Sequence, residues 1–153
     1  MKRAVIPLIV GVGALLAGCV AQPRDGLPRV RYGERACDEC RMLVSDERFA
    51  AALIDRDGEQ RVFDGIGCLV RYLAVHPGAT RLWVHDYDSK QECDARQMSF
   101  VHVQELDTPM GDGLAAFTTR VQAEAFAAAH HGDVISFGQL TQVVTAPNVA
   151  RRP

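Results

Sequence analysis

The chain has 153 residues, with 17 Lys and Arg against 19 Asp and Glu, and 48% of it is hydrophobic. That balance, without a basic stripe, excludes a nucleic-acid-binding protein, and the apolar content is enough for a core in one domain or two small ones. Five cysteines remain to be explained.

The chain opens with Lys2 and Arg3 as a short positive region, followed by an apolar run at 4–15 that is too short to span a bilayer. The run closes on "LAGC", which resembles the lipobox of bacterial lipoproteins, with Cys19 lipidated to become the first mature residue. Residues 1–18 are therefore read as a lipoprotein signal peptide, and two or three acyl chains at Cys19 would anchor the protein firmly. The expected location is the periplasm. Val20 is not the aspartate that retains enteric lipoproteins in the inner membrane, so outer-membrane anchoring is expected. Without Lys2 and Arg3, 15 basic residues face 19 acidic ones, a mature charge of about −4. Residues 19–36 follow as lipidated N-terminus and flexible tether, rich in Arg, Pro and Gly and lacking any apolar period.

The predicted fold class is α+β, as two tandem ββαβ units over 37–90 and 91–140 with a flexible tail at 141–153. In the first unit a strand in "RFAAALIDRDG" turns at Asp57 and Gly58 into the short strand "QRVFD". Ile66, Leu69, Val70 and Leu73 then recur at helical spacing, with Asp64 placed to cap the start and Pro77 and Gly78 to end the helix. A strand "TRLWVHDY" completes the unit. The second unit runs from "MSFVHVQ" through the turn "ELDTPMGDG" to "LAAFT". Its helix opens on Thr119 and Gln122 as a capping box and stops at Gly132, before a closing strand in "DVISFGQ". Phe63–Asp64 align with Phe117–Thr118, and Gly78 with Gly132, at one offset, which reads as an internal duplication.

With Cys19 lipidated, four cysteines remain, and an exported chain would by default pair them as disulfides. A thiol–disulfide protein using Cys37 and Cys40 would want its first cysteine at a helix N-terminus, where the dipole lowers the thiol pKa. The residues after Cys40 read as a turn and a strand instead. Structural zinc would want a second C-x-x-C, which is missing. A soft monovalent ion fits better, because Cu(I) takes thiolate and thioether sulfur in low coordination. In extended chain Cys40 and Met42 point to one side and can converge on an ion, with Cys37 folding back as an additional ligand. Met110 lies in "TPMGDG", a turn that suits a ligand as well as a locally packed methionine. Thiol–disulfide exchange through Cys37 and Cys40 stays as the alternative.

At these residues the chain resembles a known family. "C-x-x-C-x-M-x-V" at 37–44, "FDGIGCLVRYL" at 63–73, "WVHDY" at 83–87, "TPMG" at 108–111 and "AF" at 116–117, with the lipobox, are together similar to NosL. That family comprises the nitrous oxide reductase accessory lipoproteins of denitrifying bacteria. The resemblance implies a periplasmic Cu(I)-binding metallochaperone, not an enzyme, and tandem ββαβ domains. It further implies delivery of copper for the copper centre of nitrous oxide reductase, together with an ABC-type membrane assembly apparatus. Carried over onto this sequence, the sulfur ligands are Cys40, Met42 and Met110, with Cys37 beside them. Arg41 stands where the family commonly has glycine, and Gly65 where a second acid commonly follows the aspartate.

The other polar and sulfur residues receive ordinary roles. Cys68 is read as a small core residue of the first helix and Cys93 as part of a charged loop. Met98 is read as core filler, His85 and His102 as satisfied strand residues, and His76, His130 and His131 as surface residues.

Overall fold

The structure is a computed structural model and describes residues 30–145. The signal peptide at 1–18, the lipidation site Cys19, the first part of the tether and residues 146–153 lie outside the described residues. The described chain is a mixed α/β fold of two antiparallel sheets and three α-helices.

The first sheet is centred on β1 (Ala51–Ile54), which pairs antiparallel with β2 (Gln60–Phe63) and with β3 (Arg81–His85). Helix α1 (Ile66–Val75) joins β2 to β3 and buries Ile66, Cys68, Leu69 and Val70, as the helical spacing of those residues requires. Fully burying side chains of this size stabilises the fold by about 1.5–3 kcal/mol each. A fourth strand, β4 (Glu92–Asp94), pairs with β3 and buries Cys93, which the sequence had placed in a loop.

The second sheet repeats the path. Its central strand β5 (Ser99–His102) pairs with β6 (Leu114–Phe117) and with β7 (Asp133–Ile135), and α2 (Arg120–His130) joins β6 to β7. Strands β2 and β6 start at Gln60 and Leu114, and α1 and α2 at Ile66 and Arg120, the same spacing of 54 residues. All four residues of β6 are buried because this sheet is covered on both faces. Phe100, Leu114 and Ala116 join the large core with α1 and the first sheet, whereas Val101, Ala115 and Phe117 face Ala123 and Ala127 of α2. The period-2 alternation of strand side chains therefore divides β5 and β6 between two cores.

A polar and aromatic seam joins the halves beyond β3. The buried Asp86 carboxylate accepts from the Thr118 N–H and hydroxyl at 2.7 and 2.8 Å through one oxygen, and from the Ser89 N–H and hydroxyl at 2.9 and 2.8 Å through the other. The Tyr87 N–H donates to the Ala116 carbonyl at 2.8 Å. The Tyr87 ring meets Phe49, Phe117 and Phe126, and the Arg48 guanidinium lies over it.

Several expectations are corrected. Asp64 does not cap α1: Gly65 is the N-cap, with no side-chain bond, and the Asp64 carboxylate turns to Ser45 instead. The capping box on α2 is present, but the left-handed residue at its C-terminus is His131 (φ 55°) rather than Gly132. Gly132 matters for space, because a Cβ there would press on Val103 and the His102 carbonyl of the neighbouring strand. The tail expected from 141 begins as helix α3 (Leu140–Thr145), whose Leu140 and Val144 are buried with α1. Residues 30–36, expected as tether, already pack on the body: Val30 touches the core and Ala36 bridges to Leu43.

Candidate metal centre

The C-x-x-C stretch forms the tip of a tight hairpin. The bridge between Ala36 and Leu43 is flanked by the bond from the Val44 N–H to the Arg35 carbonyl at 2.8 Å. Inside it, the Cys37 N–H donates to the Met42 carbonyl at 2.8 Å and the Arg41 N–H to the Cys37 carbonyl at 3.1 Å. Arg41 closes the turn in the left-handed region, φ 68°, a conformation in which a side chain costs roughly 1–2 kcal/mol. Asp38 fastens the tip to the edge of the first sheet. Its N–H donates to the Val62 carbonyl at 2.8 Å and its carboxylate accepts the Val62 N–H at 2.7 Å. No helix starts at the motif itself.

This hairpin brings Cys37 and Cys40 against the first turn of α1. The sulfurs of Cys37, Cys40 and Cys68 all lie within 4.8 Å of one another. Cys37 and Cys68 are fully buried and Cys40 is half-buried. The Cys37 thiol is held well below the ordinary thiol range, at about 5. The Cys68 thiol bonds to it, and the N–H groups of Cys40, Asp64 and Glu39 point at it, outweighing burial. The same bond to Cys37, with burial, pushes the Cys68 thiol up. Burial pushes Cys40 up as well, against the N–H of Met42. The Arg71 guanidinium stands 3.1 Å from the Cys68 sulfur. A negative charge in this cluster therefore settles first on Cys37, and a soft cation can take the place of the remaining thiol protons.

Cys68, expected only to fill the core, is thus the third member of the cluster. The available sequence signal was "GIGC", a cysteine in the first turn of a helix, where N–H groups and the dipole favour a thiolate. Of the other sulfurs, Met42 follows Cys40 by two residues and is 55% exposed. Met110 is half-buried against the large core.

The loop that carries Met110 is tied to the helix that carries Cys68. The buried Asp112 accepts the Gly67 N–H at 3.0 Å through one carboxylate oxygen. The other oxygen takes the Thr108 hydroxyl at 3.2 Å and the Leu114 N–H at 3.3 Å. Asp112 thus caps α1 from 45 positions away, doing what Asp64 was expected to do. Gly67 has to be glycine here, since a Cβ would run into the Asp112 carboxylate. Burial raises the pKa of both Asp64 and Asp112. His85, as expected, is a satisfied strand residue, with Nδ1 2.9 Å from the Ala50 carbonyl.

The family model NosL matches residues 31–145. The crystal structure of the copper chaperone NosL from Shewanella denitrificans is similar, with a TM-score of 0.66 at 22% identity, over 75% of this chain and 95% of that one. At that identity the likeness speaks for the fold. No curated protein matches the chain.

Proposed function

Because the chain belongs to the NosL family, we propose that it is a Cu(I)-binding metallochaperone that delivers copper for assembly of the copper centre of nitrous oxide reductase. The observation that carries this reading is the convergence of three cysteine sulfurs within 4.8 Å. Soft thiolates select Cu(I), and a cluster that offers few ligands lets an incoming one enter before the old ones leave. Cys40 is the central ligand, with Cys37 and Cys68 behind it and the thioethers of Met42 and Met110 as exchangeable partners. The protein catalyses no covalent reaction. It is a periplasmic lipoprotein anchored through Cys19, in the outer membrane, and it works with the ABC-type membrane apparatus of reductase maturation. The shared ββαβ path supports an internal duplication.

The test is anaerobic Cu(I) titration of the reduced protein against a competing chelator. Even residues outside the ligand set commonly contribute about 10–100-fold to metal affinity. Cys40→Ser and Cys68→Ala should therefore each weaken binding by more than about tenfold, and Met42→Ala and Met110→Ala should weaken it measurably. Unchanged affinity in Cys40→Ser and Cys68→Ala would end the proposal. The thiol–disulfide alternative predicts a reversible disulfide between Cys37 and Cys40 and silent methionine variants. Its obstacle is that Cys37, the most acidic thiol, is fully buried from any partner.

A further inference from the structure

Within the sulfur cluster two of the three cysteines, Cys37 and Cys68, have no solvent-exposed surface. A ligand from another protein must therefore approach past Cys40, at the hairpin tip. The residues that follow it there are Arg41, Met42 and Leu43, all exposed, with Met42 and Leu43 at 55% and 52%.

Arg41 is the unusual member. It holds a left-handed conformation (φ 68°) that favours glycine. Its charge does not repay that cost inside the fold. Arg31, Arg35, Arg48, Arg61 and Arg120 each pair with a carboxylate, whereas Arg41 has no ion pair among the described residues. Asp38, the acid three residues before Arg41, is engaged by the Val62 N–H and by Arg35, and Glu39 makes no ion pair with Arg41 among the described residues. The hairpin tip thus presents one uncommitted cation beside two exposed apolar side chains, at the mouth of a sulfur site.

We propose that this tip is the docking face for the copper acceptor, and that the acceptor presents a carboxylate next to a soft sulfur ligand. The carboxylate pairs with Arg41, and the sulfur enters beside Met42 to take the ion from Cys40. The proposal rests on the copper-transfer reading above.

The experiment uses the full chain and three synthetic peptides that carry the same pair of methionines flanked by aspartates, asparagines or lysines. Two quantities are measured: Cu(I) transfer by stopped flow, and binding of each peptide to the copper-free chain by fluorescence anisotropy. The wild type should transfer to the aspartate peptide about fivefold faster than to the asparagine peptide, the worth of one exposed ion pair. High salt should erase that difference. Arg41→Gly, which suits the left-handed turn, should abolish the preference with Cu(I) affinity unchanged, and Arg41→Glu should shift it to the lysine peptide. A preference that survives Arg41→Gly, or no preference in the wild type, overturns the proposal. So does sedimentation as a dimer that Leu43→Ser dissolves, which would give the face to a second copy, or Arg41-dependent binding to anionic vesicles. If the wild type binds no Cu(I), the copper-transfer reading fails by itself, and the copper-free anisotropy still reports whether Arg41 selects acidic partners.

Discussion

Replacing Asp112 by alanine should be among the most damaging polar substitutions in the molecule. The carboxylate is 2% exposed and accepts three hydrogen bonds, from the Gly67 N–H, the Thr108 hydroxyl and the Leu114 N–H. In Asp112→Ala the two N–H donors stay buried without partners, at about 1–3 kcal/mol each. The Gly67 donor is also an uncapped helix start, for which about 1 kcal/mol is typical. The Thr108 hydroxyl can rotate and cushions part of its loss. The expected total is about 3–5 kcal/mol, a large fraction of the roughly 5–15 kcal/mol that holds a typical domain together. Asp112→Asn keeps one acceptor oxygen and should cost about half as much. Urea unfolding followed by circular dichroism reads both values. The copper titration reads a second effect, because the same bonds hold the Met110 loop at the start of the helix that bears Cys68. An Asp112→Ala protein less than about 1 kcal/mol below the wild type would refute the assignment of this carboxylate as the cap of α1.

Other substitutions test the joints of the fold. Asp86→Asn replaces a carboxylate that burial alone would push up, but whose pKa is lowered because four hydrogen bonds outweigh burial. It should cost about 2 kcal/mol at pH 7. A depressed carboxyl contributes its full stability above the unfolded value of about 3.9 and loses it as pH falls through the lower folded value. The gap between wild type and variant in a pH series should therefore narrow below about pH 4, and a gap that widens there would contradict the cause given. His131→Gly puts glycine at the left-handed end of α2 and should stabilise by about 0.5–1 kcal/mol. Thermal unfolding would show this as a rise of about 3 °C, and a drop would mean that the His131 side chain holds an unrecognised contact. Gly67→Ala drives a methyl group into the Asp112 carboxylate, so it should destabilise more than the usual cost of alanine at a helical position. Equal stability would show that the 108–113 loop moves aside freely.

The elements that the sequence announced are those with an apolar pattern of their own, a helical stripe or an unbroken apolar run. The Ile66, Leu69, Val70 stripe is α1, and the apolar run "LAAF" is β6, buried on both faces. Strand β4 offered only Cys93 between two acids, too short for alternation to register, and it exists because β3 supplies a partner edge. Helix α3 spans six residues, and its evidence is the burial of Leu140 and Val144 against α1, a tertiary fact. The metal site divides in the same way. Cys37 and Cys40 were legible because a hairpin is local: the bonds from Cys37 to Met42 and from Arg41 to Cys37 lie within six residues. Cys68 was not, because a cysteine beside Ile66 and Leu69 looks like the rest of their stripe until the hairpin is folded over it. Asp112 took over the cap expected of Asp64 for a related reason. Local sequence put an acid two residues before Ile66, where caps belong, but the backbone N–H of that acid points at Cys37 and its carboxylate at Ser45. The helix start was left to an acid from the other half of the chain. That long-range bond makes the placement of the Met110 loop depend on α1, so the two halves of the chain are joined at the start of the helix that bears Cys68.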